Sequence, residues 1–271
     1  MTELRPNAGP GLVRTICEYV LLYLGLGYLG TICLLWTPFA MLMQPLLPAG
    51  VARRIGRGVI HGGFNSYIHF LTLIRACRFD LTALDSLRGQ GPLILAPNHP
   101  SLLDAVMVIS RLPDVACIMK AGLMNNIFLG AGARLARYIR NDSPLRMVGS
   151  ATEALAAGSF LLVFPEGTRT VRKPVNPLMS SIGLISRRSK VPIQTIFIET
   201  ASPYLCKGWP LFRKPAMPVS YHVRLGRRFD PPASVQPFMA ELERYFAAEL
   251  AHGVLPDLPV GTDGGASSPN V

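Results

Sequence analysis

Charge is what this chain has least of: 16% of its residues are Asp, Glu, Lys or Arg, while 49% are hydrophobic. Mean hydropathy is +0.32. A soluble globular domain ordinarily carries about a quarter charged residues, so the shortfall points to a membrane-associated protein. The charge present leans one way, with 27 Lys and Arg against 16 Asp and Glu, a net +11. Such a surplus suits nucleic acid or the anionic face of a bilayer. The hydropathy favours the bilayer, and nothing resembles an RNA or DNA module, so no nucleic-acid partner is expected.

Cysteine and histidine are equally sparse. Cys17, Cys33, Cys77, Cys117 and Cys206 are dispersed, with no C-x-x-C pair. An odd, scattered set excludes a disulfide framework and reads as reduced thiols in a cytosol-facing protein. The five histidines, at 61, 69, 99, 222 and 252, include no H-E-x-x-H or other ligand spacing. Neither a metal site nor a bound cofactor is expected. His61, His69, His222 and His252 have no partner motif and read as structural or exposed.

Charge is wholly absent from Tyr19 to Met43. The portion before Pro38 is long enough to cross a hydrocarbon core, which takes roughly 20 residues. Tyr19, Tyr23, Tyr28 and Trp36 accompany it as interfacial aromatics do, and no cleavage site follows it. The sequence leaves two geometries open: a single span, or a hairpin broken at Pro38 with "PFAMLMQPLLP" as the return. In the first, Arg53, Arg54, Arg57, Arg75 and Arg78 would hold the remainder in the cytosol. Residues 49–76 read as a further helix, basic early and apolar later, suited to lying along a membrane surface.

Beyond it the period changes. Strands are predicted near 78–84, 92–97, 115–119, 160–164 and 191–198, with an edge strand at 217–225. Helices are predicted over 101–111, 123–136, 145–158, 177–189 and 234–251. The alternation argues for an α/β fold with a largely parallel central sheet flanked by helices. The resulting division is a tail and hydrophobic anchor at 1–48, a main domain at 49–253 and a disordered tail at 254–271.

In such a sheet, function collects in loops after the carboxyl ends of strands. Two loops qualify, "APNHPSLLD" after strand 92–97 and "FPEGTRTVRK" after strand 160–164. In the first, Ser101 and Asp104 form an S-x-x-D box that would start a helix. Capping accounts for them but not for Asn98 or His99. Asp104 also lies within reach of His99 Nδ1, where it would fix the tautomer and leave Nε2 free to take a proton. No protein nucleophile accompanies this base, so a substrate hydroxyl would be activated directly. The second loop holds Glu166, Gly167, Thr168, Arg169, Arg172 and Lys173; Arg forks and a Gly–Thr turn suit phosphate oxygens.

"NHPSLLD" followed by "FPEGTR", 67 residues from His99 to Glu166, resembles the glycerolipid acyltransferase family, whose bacterial members include 1-acyl-glycerol-3-phosphate acyltransferase. The resemblance covers roughly residues 75–230. It implies His99 as general base and Asp104 as the residue orienting it. It also implies that Glu166, Gly167, Thr168 and Arg169 bind the acceptor's phosphate or polar head group, with Asn98, Lys120 and Arg140 as further substrate contacts. "VPIQTI" at 191–196 is similar to the family's V-P-I-x-P block, with Thr195 in place of the second proline. "LARYIRND" at 135–142 departs more, since Asn141 holds the usual arginine position beside Arg140. Arg134 and Arg137 read as a solvated or membrane-facing basic stripe, and "KGWPLFRKP" at 207–215 as an interfacial loop.

The function so implied is transfer of an acyl chain from acyl-CoA or acyl carrier protein to a lysophospholipid hydroxyl. Its setting would be an anionic membrane surface, at the cytoplasmic membrane with the main domain facing the cytosol. Another acceptor, such as an ornithine lipid or glycolipid, and a non-catalytic membrane-binding protein are the alternatives.

Overall fold

A computed structural model describes residues 11–126, 130–172 and 174–251. The expected tail at 254–271, Lys173 and His252 lie outside them. The chain opens with two long helices, α1 (Leu12–Leu46) and α2 (Ala49–Leu73). The α/β layer follows in the order β1 (Cys77–Asp80), α3 (Thr82–Asp85), β2 (Ile94–Pro97), α4 (Asp104–Arg111) and β3 (Val115–Met119). Then come α5 (Ala121–Met124), α6 (Gly130–Leu135), β4 (Ile139–Arg140), α7 (Pro144–Ala156) and β5 (Phe160–Leu162). The series closes with α8 (Ser181–Ser189), β6 (Ile193–Thr200), β7 (Val219–Phe229) and α9 (Val235–Ala251).

Among the described residues seven strands order as β1-β7-β6-β2-β5-β3-β4, and of these only β6 and β7 pair antiparallel. The central strands are apolar on both faces because both faces are covered. Leu95 and Leu162 pack in one core with Tyr67, Ile68 and Leu71 of α2 and Met107 of α4. Their neighbours Ile94 and Leu161 point the other way, into a core with Val148 of α7, Ile182 of α8 and Leu242 of α9. The expected largely parallel sheet flanked by helices is what the chain forms.

Several local expectations are corrected. β7 is not an edge strand: β1 pairs with it from Cys77↔Val219 to Asp80↔His222, so its outer rim is covered. In place of the predicted helix 123–136 stand two short helices, α5 and α6, with Gly130 so close to the Met124 carbonyl that a Cβ would sit 2.1 Å from it. The helix predicted from 101 starts at Asp104, since Ser101–Leu103 form a turn first.

Pro38 does not break α1, which runs through both Pro38 and Pro45, so the hairpin with a return after Pro38 does not form. The helix turns around only at Leu47–Pro48. It exposes Leu34, Leu35, Phe39, Leu42 and Leu46, yet it touches the domain near both ends. Glu18 is buried, pairs with Lys214 and accepts from the Met217 N–H at 3.3 Å, while Trp36 lies against Gly132. Arg57 of α2 likewise departs from the expected surface stripe. It is 3% exposed and donates to Asp114 (2.7 Å), Ser159 Oγ (2.6 Å) and the Ala136 carbonyl (3.0 Å).

Candidate active site

The carboxyl ends of β2 and β5 lie side by side, paired through Ile94↔Leu161 and Leu95↔Leu162. From β2 the chain leaves through α4 on one face; from β5 it leaves through α8 on the other. This divergence makes a crevice between the two strand ends, where α/β sheets hold ligands. The loop carrying His99 and the loop carrying Glu166 meet there.

They are joined by backbone as well as side chain. The His99 N–H donates to Glu166 Oε1 (3.1 Å), and the Thr170 N–H donates to the His99 carbonyl (2.8 Å). Thr170 Oγ1 donates to Glu166 Oε1 at 2.7 Å, and the Asn176 N–H donates to Oε2 at 3.0 Å. Both oxygens of Glu166 are therefore occupied by internal donors, and the residue is 5% exposed. Expected among the substrate contacts, it is placed as a residue that positions the two loops. Burial raises its carboxyl above the usual glutamate range, against the pull of those donors.

His99 Nδ1 lies 2.7 Å from Asp104 Oδ2, which also accepts the Ser101 N–H at 2.8 Å. Accepting from Nδ1–H leaves Nε2 as the basic nitrogen of a neutral ring. The Phe164 ring stacks on the imidazole with centroids 3.9 Å apart and limits its rotation. The imidazole keeps 16% of its surface exposed while Asp104 is fully buried, and Asp104 Oδ1 has no hydrogen-bond partner among the described residues. Burial raises the Asp104 carboxyl, with His99 and the Ser101 N–H opposing it. The helix-starting box forms in part: Asp104 reaches back to Ser101 N, whereas Ser101 Oγ accepts from Leu103 (3.3 Å) and lies 3.3 Å from the Tyr221 hydroxyl.

The remaining expected residues divide. Gly167 adopts φ +65°, and a Cβ there would lie 2.3 Å from Met179 Sδ, so the turn admits only glycine without rearrangement. Arg169 Nη1 donates to the Leu205 and Cys206 carbonyls, both at 2.8 Å. Thr168 is half-buried beside them. Asn98, expected among the substrate contacts, has its amide engaged within the sheet. It is 2% exposed, and its amide donates to the Ile198 carbonyl (3.0 Å) and accepts the Ile198 N–H (2.7 Å), continuing the β2–β6 pairing.

Lys120 follows β3 and is exposed. Arg140 is on β4, three strands from His99, bound to Asp142 (2.7 Å) and Asn125 (3.2 Å). Asn141 accepts the Ala121 N–H at 3.3 Å. Sequence reasoning missed Phe164 and Asn176. Phe164 opens the FPEGTR block itself, but the motif gave it no role; only its stacking on the His99 imidazole does. Asn176 receives the Val171 and Arg172 N–H groups and donates to the Arg169 carbonyl, a loop brace with no motif to mark it.

Residues 78–199, from β1 through β6 and including both loops, match the family model Acyltransferase. No curated protein matches the chain. Among solved structures, the 1-acyl-sn-glycerophosphate (LPA) acyltransferase PlsC from Thermotoga maritima has the same fold. The TM-score is 0.64 at 18% sequence identity, covering 88% of this chain and 96% of that one.

Proposed function

We propose that this chain, whose residues 78–199 form an acyltransferase domain, moves an acyl group from acyl-CoA or acyl carrier protein to the hydroxyl of a lysophospholipid such as 1-acyl-glycerol-3-phosphate. The observation that carries this reading is the 2.7 Å contact between His99 Nδ1 and the buried Asp104, with Nε2 unpartnered among the described residues. His99 Nε2 takes the acceptor hydroxyl's proton as its oxygen attacks the thioester carbonyl. Collapse of the tetrahedral intermediate breaks the C–S bond, and the imidazolium returns the proton to the departing sulfur. Asp104 stabilises the imidazolium and fixes the ring. Arg169, whose Nε and Nη2 have no partner among the described residues, and the Gly167–Thr168 turn supply donors for the acceptor's phosphate.

The exposed apolar α1 supports an anchor in the cytoplasmic membrane, with the sheet on the cytosolic side and an anionic surface beneath it. A different acceptor, an ornithine lipid or glycolipid, is the second reading. It is favoured by Asn141, whose side chain is engaged with Ala121, and by Arg140, already neutralised by Asp142. His99→Ala should lower turnover by about 10²- to 10⁴-fold with an unchanged circular dichroism spectrum. Retention of most activity by the folded variant would refute the base assignment. Mass spectrometry of products from a mixed acceptor pool decides between the acceptors.

A further inference from the structure

A cavity of about 840 Å³ lies away from His99, along the free edge of β4 between the start of α2 and α7. Its walls carry Arg53, Arg57, Arg137, Arg140 and Arg146, opposed by Asp142 and Glu153 alone among lining acids. Arg57 and Arg140 are neutralised by Asp114 and Asp142. Arg53, Arg137 and Arg146 make no ion pair among the described residues, and Arg146 acts on Asp142 only at longer range. Arg137 follows the end of α6 in the left-handed conformation, at φ +56°, and is exposed. Tyr138, nine-tenths buried, stands behind the wall, its own buried hydroxyl without a partner among the described residues. Unpaired guanidinium groups gathered in a concave site are a phosphate receptor in search of a polyanion.

Distance selects the polyanion. β5 and β3 separate β2 from β4, so three strand spacings put the cavity's rim, at Arg140 on the carboxyl end of β4, roughly 14 Å from the histidine loop, with the rest of the cavity running down α7 beyond it. An acceptor whose hydroxyl meets His99 carries its phosphate only about 5 Å away, at the roughly 1.2 Å that each bond of an extended chain covers. It cannot reach. A phosphopantetheine arm has about thirteen bonds between sulfur and phosphorus and spans about 15 Å on the same measure. Laid across the carboxyl ends of β5 and β3, past the exposed Lys120, it joins the two places. Coenzyme A and acyl carrier protein share that arm. The volume favours coenzyme A, because a cavity this size holds a whole nucleotide, whereas the carrier protein ends in a single phosphodiester on its own surface.

We infer that the arginine cavity beside β4 binds the adenosine 3′,5′-bisphosphate end of coenzyme A, with the thioester delivered to His99. This rests on His99 being the place of acyl transfer. The test uses the full chain and an Arg53→Gln/Arg137→Gln double variant, its fold checked by circular dichroism. Adenosine 3′,5′-bisphosphate should bind the parent and compete with acyl-CoA. The variant should bind it about tenfold or more weakly and show a matching rise in KM for acyl-CoA. Its kcat, its KM for the acceptor and its turnover of an acyl-pantetheine lacking the nucleotide should not move. A raised acceptor KM, loss of binding to anionic vesicles with nucleotide binding unchanged, or turnover of acyl carrier protein by a chain that binds no nucleotide would each overturn the inference. Nucleotide binding needs no turnover, so it judges the cavity even if His99→Ala keeps its activity.

Discussion

Glu166 is the residue on which the two loops depend, and its environment sets a sign. Burial holds its folded pKa above the ordinary value of 4.5, so the folded chain binds that proton more tightly than the unfolded one. Its contribution to stability is then fully present below pH 4.5 and is lost as pH rises through the raised value. In Glu166→Gln this dependence disappears. The stability difference, parent minus variant, should therefore fall with rising pH across that window and level off above it, read from denaturant midpoints at each pH. Asp104→Asn should lower kcat by about 10²- to 10⁴-fold, because the ring loses its orienting acceptor; an unchanged kcat would remove Asp104 from the mechanism. Gly167→Ala forces a methyl against Met179 at positive φ and should cost about 1–3 kcal/mol of stability, measurable by thermal or denaturant unfolding. The histidine–aspartate pair was legible because its five-residue spacing makes it a local contact. Glu166's engagement was not, since its partners come from His99 and Asn176, and the same opacity hid Asn98's bond to a strand 100 residues away.

At the scale of elements, the informative contacts are those that contradict periodicity. α2 begins as an amphipathic basic helix, but Arg57 turns inward to the segments that precede β3 and β5. Gly56 beside it lets α2 approach the Ala136 backbone, where a Cβ would lie 2.5 Å from the nitrogen. Arg57→Ala leaves the Ala136 carbonyl and Ser159 without their donor and should destabilise the domain by about 2–4 kcal/mol. Arg54→Ala, on the exposed side, should change it by no more than about 0.5 kcal/mol; chemical denaturation of both variants checks the contrast. The strands of the parallel core could be read from their apolar runs. β7 misled because alternation signals one wet face, whereas the true arrangement, with β1 capping its rim, depends on a pairing 142 residues apart.

For the molecule as a whole, α1 is the proposed anchor and also a clasp. The single long helix was visible in its uncharged run; its continuity past Pro38 was not, because a proline is compatible with either outcome. With its apolar surface facing outward, the full chain should float with anionic vesicles, and a chain beginning at residue 48 should remain in the soluble fraction; flotation of the shortened chain would place the membrane contact elsewhere. The clasp has a consequence for biosynthesis. Glu18 and Lys214 are 196 residues apart, and translation at about 5–20 residues per second separates their emergence by on the order of ten to forty seconds. Throughout that interval the apolar helix exists without the loop that will hold it. Lipid is the solvent that suits it, so an anchor of the proposed kind would enter the bilayer first, and the sheet would assemble afterwards against a helix already in place.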